Sequence, residues 1–268
     1  GSILREIEQV AGMPDFKGYV SDLGGPSANM YRMGGEDLLL CRKCKRPSCV
    51  YPAICSNLNY DHGPLIDLYI KSGRIRGVKK IFVASGVRYD LCLSHTGNEK
   101  KYHTMEYIEK LVKDHVSGRL KVAPEHTSES VLKLMRKPSY NLFVKFKSLF
   151  KKISEKAGLK QQIIPYFISS HPGSDIEDMA ELASITSGEG FKLEQVQDFT
   201  PVPMTLSSVI YYTGIDPYTG EKVYSAKNKK ERDNQRIFFF WHIKENRFEI
   251  KKILKKIGRA DIERKLFS

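Results

Sequence analysis

Arg119-Leu-Lys-Val-Ala-Pro-Glu-His126 is the stretch on which the fold turns. Residues 119–124 form a short apolar run of the kind that builds a buried strand, and it ends directly in two adjacent ionisable residues, Glu125 and His126. Working outward, residues 128–135 open a helix. Phe143, Phe146, Leu149, Phe150 and Ile153 carry a longer helical stripe that Gly158 ends. Residues 162–168 read as a strand, 175–185 as a helix and 194–199 as a last strand. Upstream, residues 80–85 are a short apolar strand stopped by Gly86. The next helix takes its stripe from Met105, Ile108, Leu111 and Val112. Residues 18–23 are expected to be a buried strand ending in Gly24-Gly25-Pro26, and residues 65–72 a helix. Residues 2–11 place Ile3, Leu4, Ile7 and Val10 on one helical face. Strand and helix alternate at βαβ spacing, which predicts a parallel sheet. A barrel and an open doubly wound sheet both produce this pattern, and in both the ligands bind where the strands end.

The chain has 268 residues, 41% hydrophobic and 28% charged, enough to bury the core of one barrel-sized domain or two small ones. No apolar run approaches the roughly 20 residues that cross a bilayer, so no membrane partner is expected. Gly1 reads as the scar of a cleaved tag, and residues 2–7 enter a helical pattern with no signal peptide. The net charge of +13 attracts polyanions without specifying one. Much of the excess lies in the last third, as in Lys227-Asn-Lys-Lys230 and the lysines 251, 252, 255 and 256. A solvated helix face and an RNA-binding surface both account for it.

The strand-end residues are Asp22, Gly24 and Gly25; Ser85, Gly86 and Arg88; Glu125 and His126; Ser170, His171, Pro172 and Gly173; and Asp198 and Thr200. Turn chemistry explains any one of these sets, since loops favour Gly, Ser and Pro. Taken together they predict a common rim.

Four of the five cysteines form Cys41-x2-Cys44-x4-Cys49-x5-Cys55. In a large-cored chain without a secretory signal, such a cluster points to metal binding in a reducing, cytoplasmic compartment. Four thiolates suit tetrahedral zinc or an iron–sulfur cluster, with Arg42, Lys43, Lys45 and Arg46 offsetting their charge. Cysteines that merely close the loop are the alternative. His62 could replace a ligand but also suits a turn before Gly63-Pro64, and Cys92 reads as a core residue.

Several of these segments carry a family resemblance. Asp22-Leu-Gly-Gly-Pro-Ser-Ala-Asn-Met-Tyr31, Cys49-Val-Tyr-Pro-Ala-Ile-Cys55, Ala84-Ser-Gly-Val-Arg-Tyr-Asp90 and Val122-Ala-Pro-Glu-His126 resemble the YgiQ family of radical S-adenosylmethionine (SAM) proteins. So do Ile164-Pro-Tyr-Phe-Ile-Ser-Ser-His-Pro-Gly173 and Tyr211-Tyr-Thr-Gly214, in the same order and over nearly the whole chain. The arrangement Glu125…Leu134-Met-Arg136…His171-Pro-Gly173 also looks like the second half of the radical SAM methylthiotransferase core.

The resemblance implies an α/β fold, a partial (β/α) barrel in which strands two to six are present. Residues 1–215 would form that barrel, with a Cys-rich insertion at about 32–64, and residues 216–268 a basic helical extension. It also implies a [4Fe-4S] cluster that chelates SAM and, on reduction, releases a 5′-deoxyadenosyl radical. By motif position Gly24 and Gly25 would meet the methionyl group of SAM, Glu125 its ribose or carboxylate end, and Arg136 its carboxylate. Ser85 and His126 would stand beside them, and Ser170, His171, Pro172 and Gly173 near the adenine. The cluster loop of the superfamily, Cys-x3-Cys-x2-Cys, does not occur in this chain and is expected upstream of Ser2. The cluster ligands would then lie outside it, the 268 residues alone would not cleave SAM, and the four-cysteine loop would hold a second metal, zinc or [4Fe-4S].

The leading function is therefore the SAM-binding part of an enzyme whose substrate is unknown. A nucleic-acid-binding module with a four-cysteine metal site is the second reading, and the two coexist if the enzyme modifies RNA, as the methylthiotransferases do. An ordinary barrel enzyme with Glu125 and His126 as a general acid–base pair is the third.

Overall fold

The computed structural model describes residues 1–25, 27–93, 97 and 100–267. Pro26, in the first glycine-rich strand end, lies outside them. The chain divides into two units, Gly1–Ala123 with Asn141–Ile164, and Pro124–Tyr140 with Pro165–Ser268.

In the first unit, α1 (Ser2–Ala11) is followed by β1 (Tyr19–Val20). The Cys-rich stretch contains β2 (Gly34–Gly35), α2 (Leu38–Lys43) and β3 (Leu58–Asn59), and β2 pairs antiparallel with β3. Then come α3 (Gly63–Gly73), β4 (Lys80–Ile81), α4 (Tyr89–Cys92) and α5 (Thr104–Lys110), which runs into a π-helical turn, Leu111–His115. Pro64 sits in the first turn of α3, where its missing N–H would have no intrahelical partner anyway. β1 and β4 are parallel, and their backbone bonding continues beyond the short strands to Leu23 N–H on the Phe82 carbonyl, 2.8 Å. His115 clamps the π turn to β4, with Nδ1 2.9 Å from the Ile81 carbonyl and its own carbonyl 2.9 Å from Val83 N.

β5 (Arg119–Glu125), α6 (Glu129–Met135), α7 (Tyr140–Lys156) and β6 (Gln162–Ser169) follow. Along α7, Phe143, Phe146, Phe150 and Ile153 recur at three or four residues and are all buried. Tyr89 packs on Phe143 and Phe146, with ring centroids 6.0 and 5.8 Å away.

The second unit adds α8 (Ile176–Gly188), β7 (Gln195–Asp198), α9 (Leu206–Thr213), α10 (Lys229–Arg236), α11 (Arg247–Lys256) and α12 (Ala260–Phe267). β5, β6 and β7 form one parallel sheet in that order, and Ser169 stands opposite Asp198 at its carboxyl end. Asp175 caps α8 through Glu177 N and Asp178 N, with Asp178 completing a capping box. Phe238 and Phe239, in a 3-10 turn (Ile237–Phe240), are fully buried. Arg259 ties α12 to α8 through Glu177 at 3.2 Å and Glu181 at 2.9 Å, so part of the basic tail is structural.

The predicted strands are all present, but β1 and β4 are two residues long and Tyr19 is exposed rather than buried. The Cys-rich stretch has its own hairpin and helix, because Asn57 bonds both the N–H and the carbonyl of Asp37, and Asp37 caps α2. Met105 is exposed. The buried stripe of that helix runs through Thr104, Tyr107, Ile108, Leu111 and Val112. Among the described residues no helix is long and apolar enough to cross a membrane.

Candidate functional site at the strand ends

In the second unit the ends of the three parallel strands open on a cavity of about 260 Å³. Glu125, Lys137, His171, Asp198, Thr200 and Ser207 are among its polar groups, and Met135, Ile168, Phe199 and Val202 form its apolar wall. Glu125 is the last residue of β5, and Ser170 the first after β6. Both take left-handed backbone conformations, φ +69° and +59°, that side chains other than glycine rarely adopt. Strain of this kind, about 1–3 kcal/mol per residue, concentrates where a scaffold aims a side chain at a site.

Glu125 Oε1 accepts a hydrogen bond from Lys137 Nζ at 2.9 Å. Its Oε2 is buried and has no partner among the described residues. Since a buried, unpartnered acceptor costs roughly 1–3 kcal/mol, this oxygen is where a ligand hydroxyl or amine gains most. His171 Nδ1 donates to the Pro172 carbonyl at 2.8 Å, which leaves Nε2 to accept the Ser207 hydroxyl at 2.8 Å. Burial depresses its pKa to about 4, so at neutral pH it is the uncharged imidazole. Phe199 meets the ring edge-on at 5.1 Å. Asp198 accepts from Ser169 Oγ at 2.5 Å and from Arg236 Nη1 at 3.0 Å.

The neighbouring residues named from the sequence have other surroundings. His126 is fully buried, and its Nδ1 accepts from Ser128 N at 3.0 Å, so Nε2–H faces Ser174 Oγ at 3.3 Å. Burial lowers its pKa to about 3. Gln235 completes that network by accepting from Ser170 N at 2.8 Å and Ser174 Oγ at 3.2 Å. Glu125 and His126 are therefore adjacent in sequence but do not line the cavity together, which removes the basis for a joint acid–base pair. Arg136 turns from the cavity to Tyr218, its guanidinium carbon 4.3 Å from the ring centroid. Lys137, not singled out from the sequence, supplies the cavity's cation. Pro172 and Gly173 form a turn. A Cβ on Gly173 would lie 2.3 Å from Leu134 Cδ1, the movable end of a half-buried side chain, so it is the backbone, at a φ of +88°, that favours glycine there.

Gly24, Gly25 and Ser85 belong to the first unit. Asp22 Oδ1 accepts from the N–H groups of Ala84 and Ser85 at 3.0 and 3.2 Å, and its other oxygen accepts the Ser85 hydroxyl. Gly24 fits because a Cβ would come within 2.9 Å of Asp22 Oδ1 and Ser85 Cβ, whereas a Cβ on Gly25 would meet no atom of the described residues within 4 Å beyond its chain neighbours. Beside them a fully buried Asn29 donates to the Arg88 carbonyl at 3.0 Å and accepts from Arg88 N at 2.7 Å. Its amide also lies 3.2 Å from His62 Nε2 and 3.4 Å from Cys92 Sγ. Burial lowers the His62 pKa to about 4 and pushes the Cys92 thiol up, so this cluster is a neutral core network. A larger cleft of about 590 Å³ in this unit is lined by the chain start, Asp61 and His103, and by none of the strand-end residues.

Cys41, Cys44 and Cys49 are exposed and Cys55 is half-buried. Cys55 packs on a small apolar cluster around Tyr60 and Tyr102. Cys41 Sγ accepts from Asn57 Nδ2 at 3.2 Å, and Cys44 Sγ from Arg46 N at 3.4 Å. Among the described residues no three His, Cys, Asp or Glu side chains are grouped as metal ligands, so the four thiols are not gathered into one set.

Residues 194–264, from β7 into α12, match a family described as a domain of unknown function (DUF3362). The chain is 56% identical to a UPF0313 protein of Bacteroides thetaiotaomicron over 267 residues, which is 99% of this chain and 43% of that one. It is 54% identical to a UPF0313 protein of Porphyromonas gingivalis over 268 residues, 99% of this chain and 42% of the other. With a UPF0313 protein of Pseudomonas putida the identity is 43% over 267 residues, 97% of this chain and 34% of the relative. The chain thus spans less than half the length of these curated relatives.

Proposed function

We propose that this chain is the partial (β/α) barrel of a radical SAM enzyme and that the cavity at Glu125 receives the ribose end of SAM. The carrying observation is the buried Glu125 Oε2, an acceptor without a partner among the described residues, at the end of a parallel strand. It fits a hydroxyl-bearing ligand: Glu125 would accept from a ribose hydroxyl, Lys137 would hold the carboxylate in place, and Phe199 would wall the sugar. The neutral His171 and Ser207 would keep that wall uncharged. UPF0313 is the YgiQ family, so the relatives' names support the resemblance while stating no activity. Bound to a reduced [4Fe-4S] cluster, SAM supplies a 5′-deoxyadenosyl radical, chemistry that belongs to the cofactor. Without a Cys-x3-Cys-x2-Cys segment in this chain, that step is given to none of its residues, and the proposal runs through no metal at the four-cysteine loop.

Equilibrium dialysis against labelled SAM tests the binding. The 268-residue chain should retain SAM, and Glu125→Gln should weaken retention at least about tenfold, as loss of a charge-assisted hydrogen bond does. Equal retention by the variant, or none by either protein, would reject the site. For the activity, a longer protein carrying a cysteine segment of that spacing should form 5′-deoxyadenosine after iron and sulfide reconstitution. Failure of that protein would reject the enzyme class.

A further inference from the structure

The second unit carries a ladder of aromatic rings that starts at the cavity and ends in solvent. His171 and Phe199, both lining the cavity, stand 5.1 Å apart. Phe199 packs on Tyr211 at 5.7 Å, and Tyr211 meets Tyr212 edge-on at 5.3 Å. Tyr212, near the end of α9, is 70% exposed. Lys227 stands over the Tyr211 ring with Nζ 6.0 Å from its centroid, and donates to the Tyr212 carbonyl at 3.3 Å. Beside the same cavity, Arg136 lies between the lining residues Met135 and Lys137 and stacks on Tyr218, which is 64% exposed.

Burial does not explain this pattern. An exposed tyrosine ring contributes little to a core, and two of them here are each accompanied by a fixed cation. The acidic residues of the Tyr218 loop are already engaged: Asp216 Oδ1 accepts from Tyr218 N at 2.9 Å, and Glu221 Oε2 from Thr219 Oγ1 at 3.4 Å. The following chain is basic, with fifteen Lys and Arg against six Asp and Glu in residues 222–268. Flat π-faces interleaved with cations match a ligand that is itself alternately flat and anionic. An acidic peptide would satisfy the cations and leave the rings unused, and duplex DNA would hide its bases from them.

We infer that Tyr212 and Tyr218, with Lys227 and Arg136, form a docking rim for a single-stranded nucleic acid, and that one nucleotide of it is presented to the strand-end cavity. The rings would stack on bases and the cations would meet phosphates. The inference deepens the enzyme reading by naming its substrate class and rests on that reading only for the role of the cavity. The lysines of α11 would add long-range attraction without selecting single strands.

Fluorescence anisotropy with labelled twelve-nucleotide RNA and DNA strands and a matched duplex, without SAM or iron, tests it apart from the enzyme reading. The chain should bind a single strand more tightly than the duplex. The Tyr212→Ala/Tyr218→Ala double variant should lose at least about tenfold in affinity, the effect expected of base stacking. Both tyrosines are exposed, so the fold should survive, as an unchanged Tm would verify. Lys255→Ala/Lys256→Ala should change affinity less than the tyrosine pair at moderate salt. Equal binding by the tyrosine variant, a preference for duplex, a larger effect of the lysine pair, or no binding at low salt would overturn the inference. RNA and DNA arms differing in affinity would both support it and would identify the polymer.

Discussion

Lys137 Nζ lies 2.9 Å from Glu125 Oε1, joining the loop after α6 to the last residue of β5. Only one of the carboxylate oxygens is satisfied this way, because Oε2 is buried without a partner among the described residues. The pair therefore positions a ligand-binding group and is also a point of vulnerability in the unliganded protein.

Removing the cation should destabilise the fold more than removing the charge of its partner. Lys137→Ala leaves a buried carboxylate alone and should cost about 1–3 kcal/mol. Glu125→Gln keeps an oxygen for Lys137 and relieves the buried charge, so its loss should be smaller. Urea denaturation of the two variants checks the order, and a larger loss in the glutamine variant would contradict it.

Stability should fall as pH is lowered from neutrality. His126, His171 and His62 have folded-state pKa values depressed by burial to about 3, 4 and 4. A depressed value means that the unfolded chain binds protons first. Stability is complete above the unfolded value near 6.5 and is lost as pH drops from there towards 4. Each histidine contributes up to about 1.4 kcal/mol per pH unit in that window. Urea midpoints at pH 7.5, 6 and 5 should decline in that order, and His126→Gln should flatten the decline. A midpoint independent of pH would refute the burial of these rings.

Gly173 should resist substitution although its neighbours are loop residues. Gly173→Ala places a Cβ against Leu134 and imposes a left-handed φ on a residue with a side chain. The expected loss is about 1–3 kcal/mol in thermal or urea unfolding. Gly25→Ala, whose Cβ would meet no atom of the described residues within 4 Å beyond its chain neighbours, should leave stability nearly unchanged. Equal effects at the two positions would show that the backbone strain at Gly173 is relieved elsewhere.

The cysteines should separate by accessibility. Cys41, Cys44 and Cys49 are exposed, whereas Cys92 is buried and its thiol is held protonated by that burial. Timed reaction with a thiol reagent, followed by peptide mass mapping, should label the first three quickly, Cys55 more slowly and Cys92 only in denaturant. Rapid labelling of Cys92 in the folded protein would contradict its place in the Asn29 network.

Much of this was legible in the sequence because apolar periodicity is a local property. The burial alternation of β6, the aromatic stripe of α7 and the position of Glu125 at the end of β5 all follow from neighbouring residues. The cavity at the strand ends also follows in outline, since parallel strands bring their carboxyl ends to one side. The sequence could not show which strand-end side chains converge. Glu125 and His126 differ by one position and face different surroundings, and Lys137 lines the cavity where Arg136 was expected. Those outcomes depend on φ at Glu125 and Arg136, which are +69° and +54°, values no propensity favours for either residue. They depend too on partners far along the chain, with Gln235 holding Ser170 and Ser207 holding His171. Local pattern determined the strands and where they end. Long-range packing, strong enough to hold strained backbone, decided which of their terminal residues became a site.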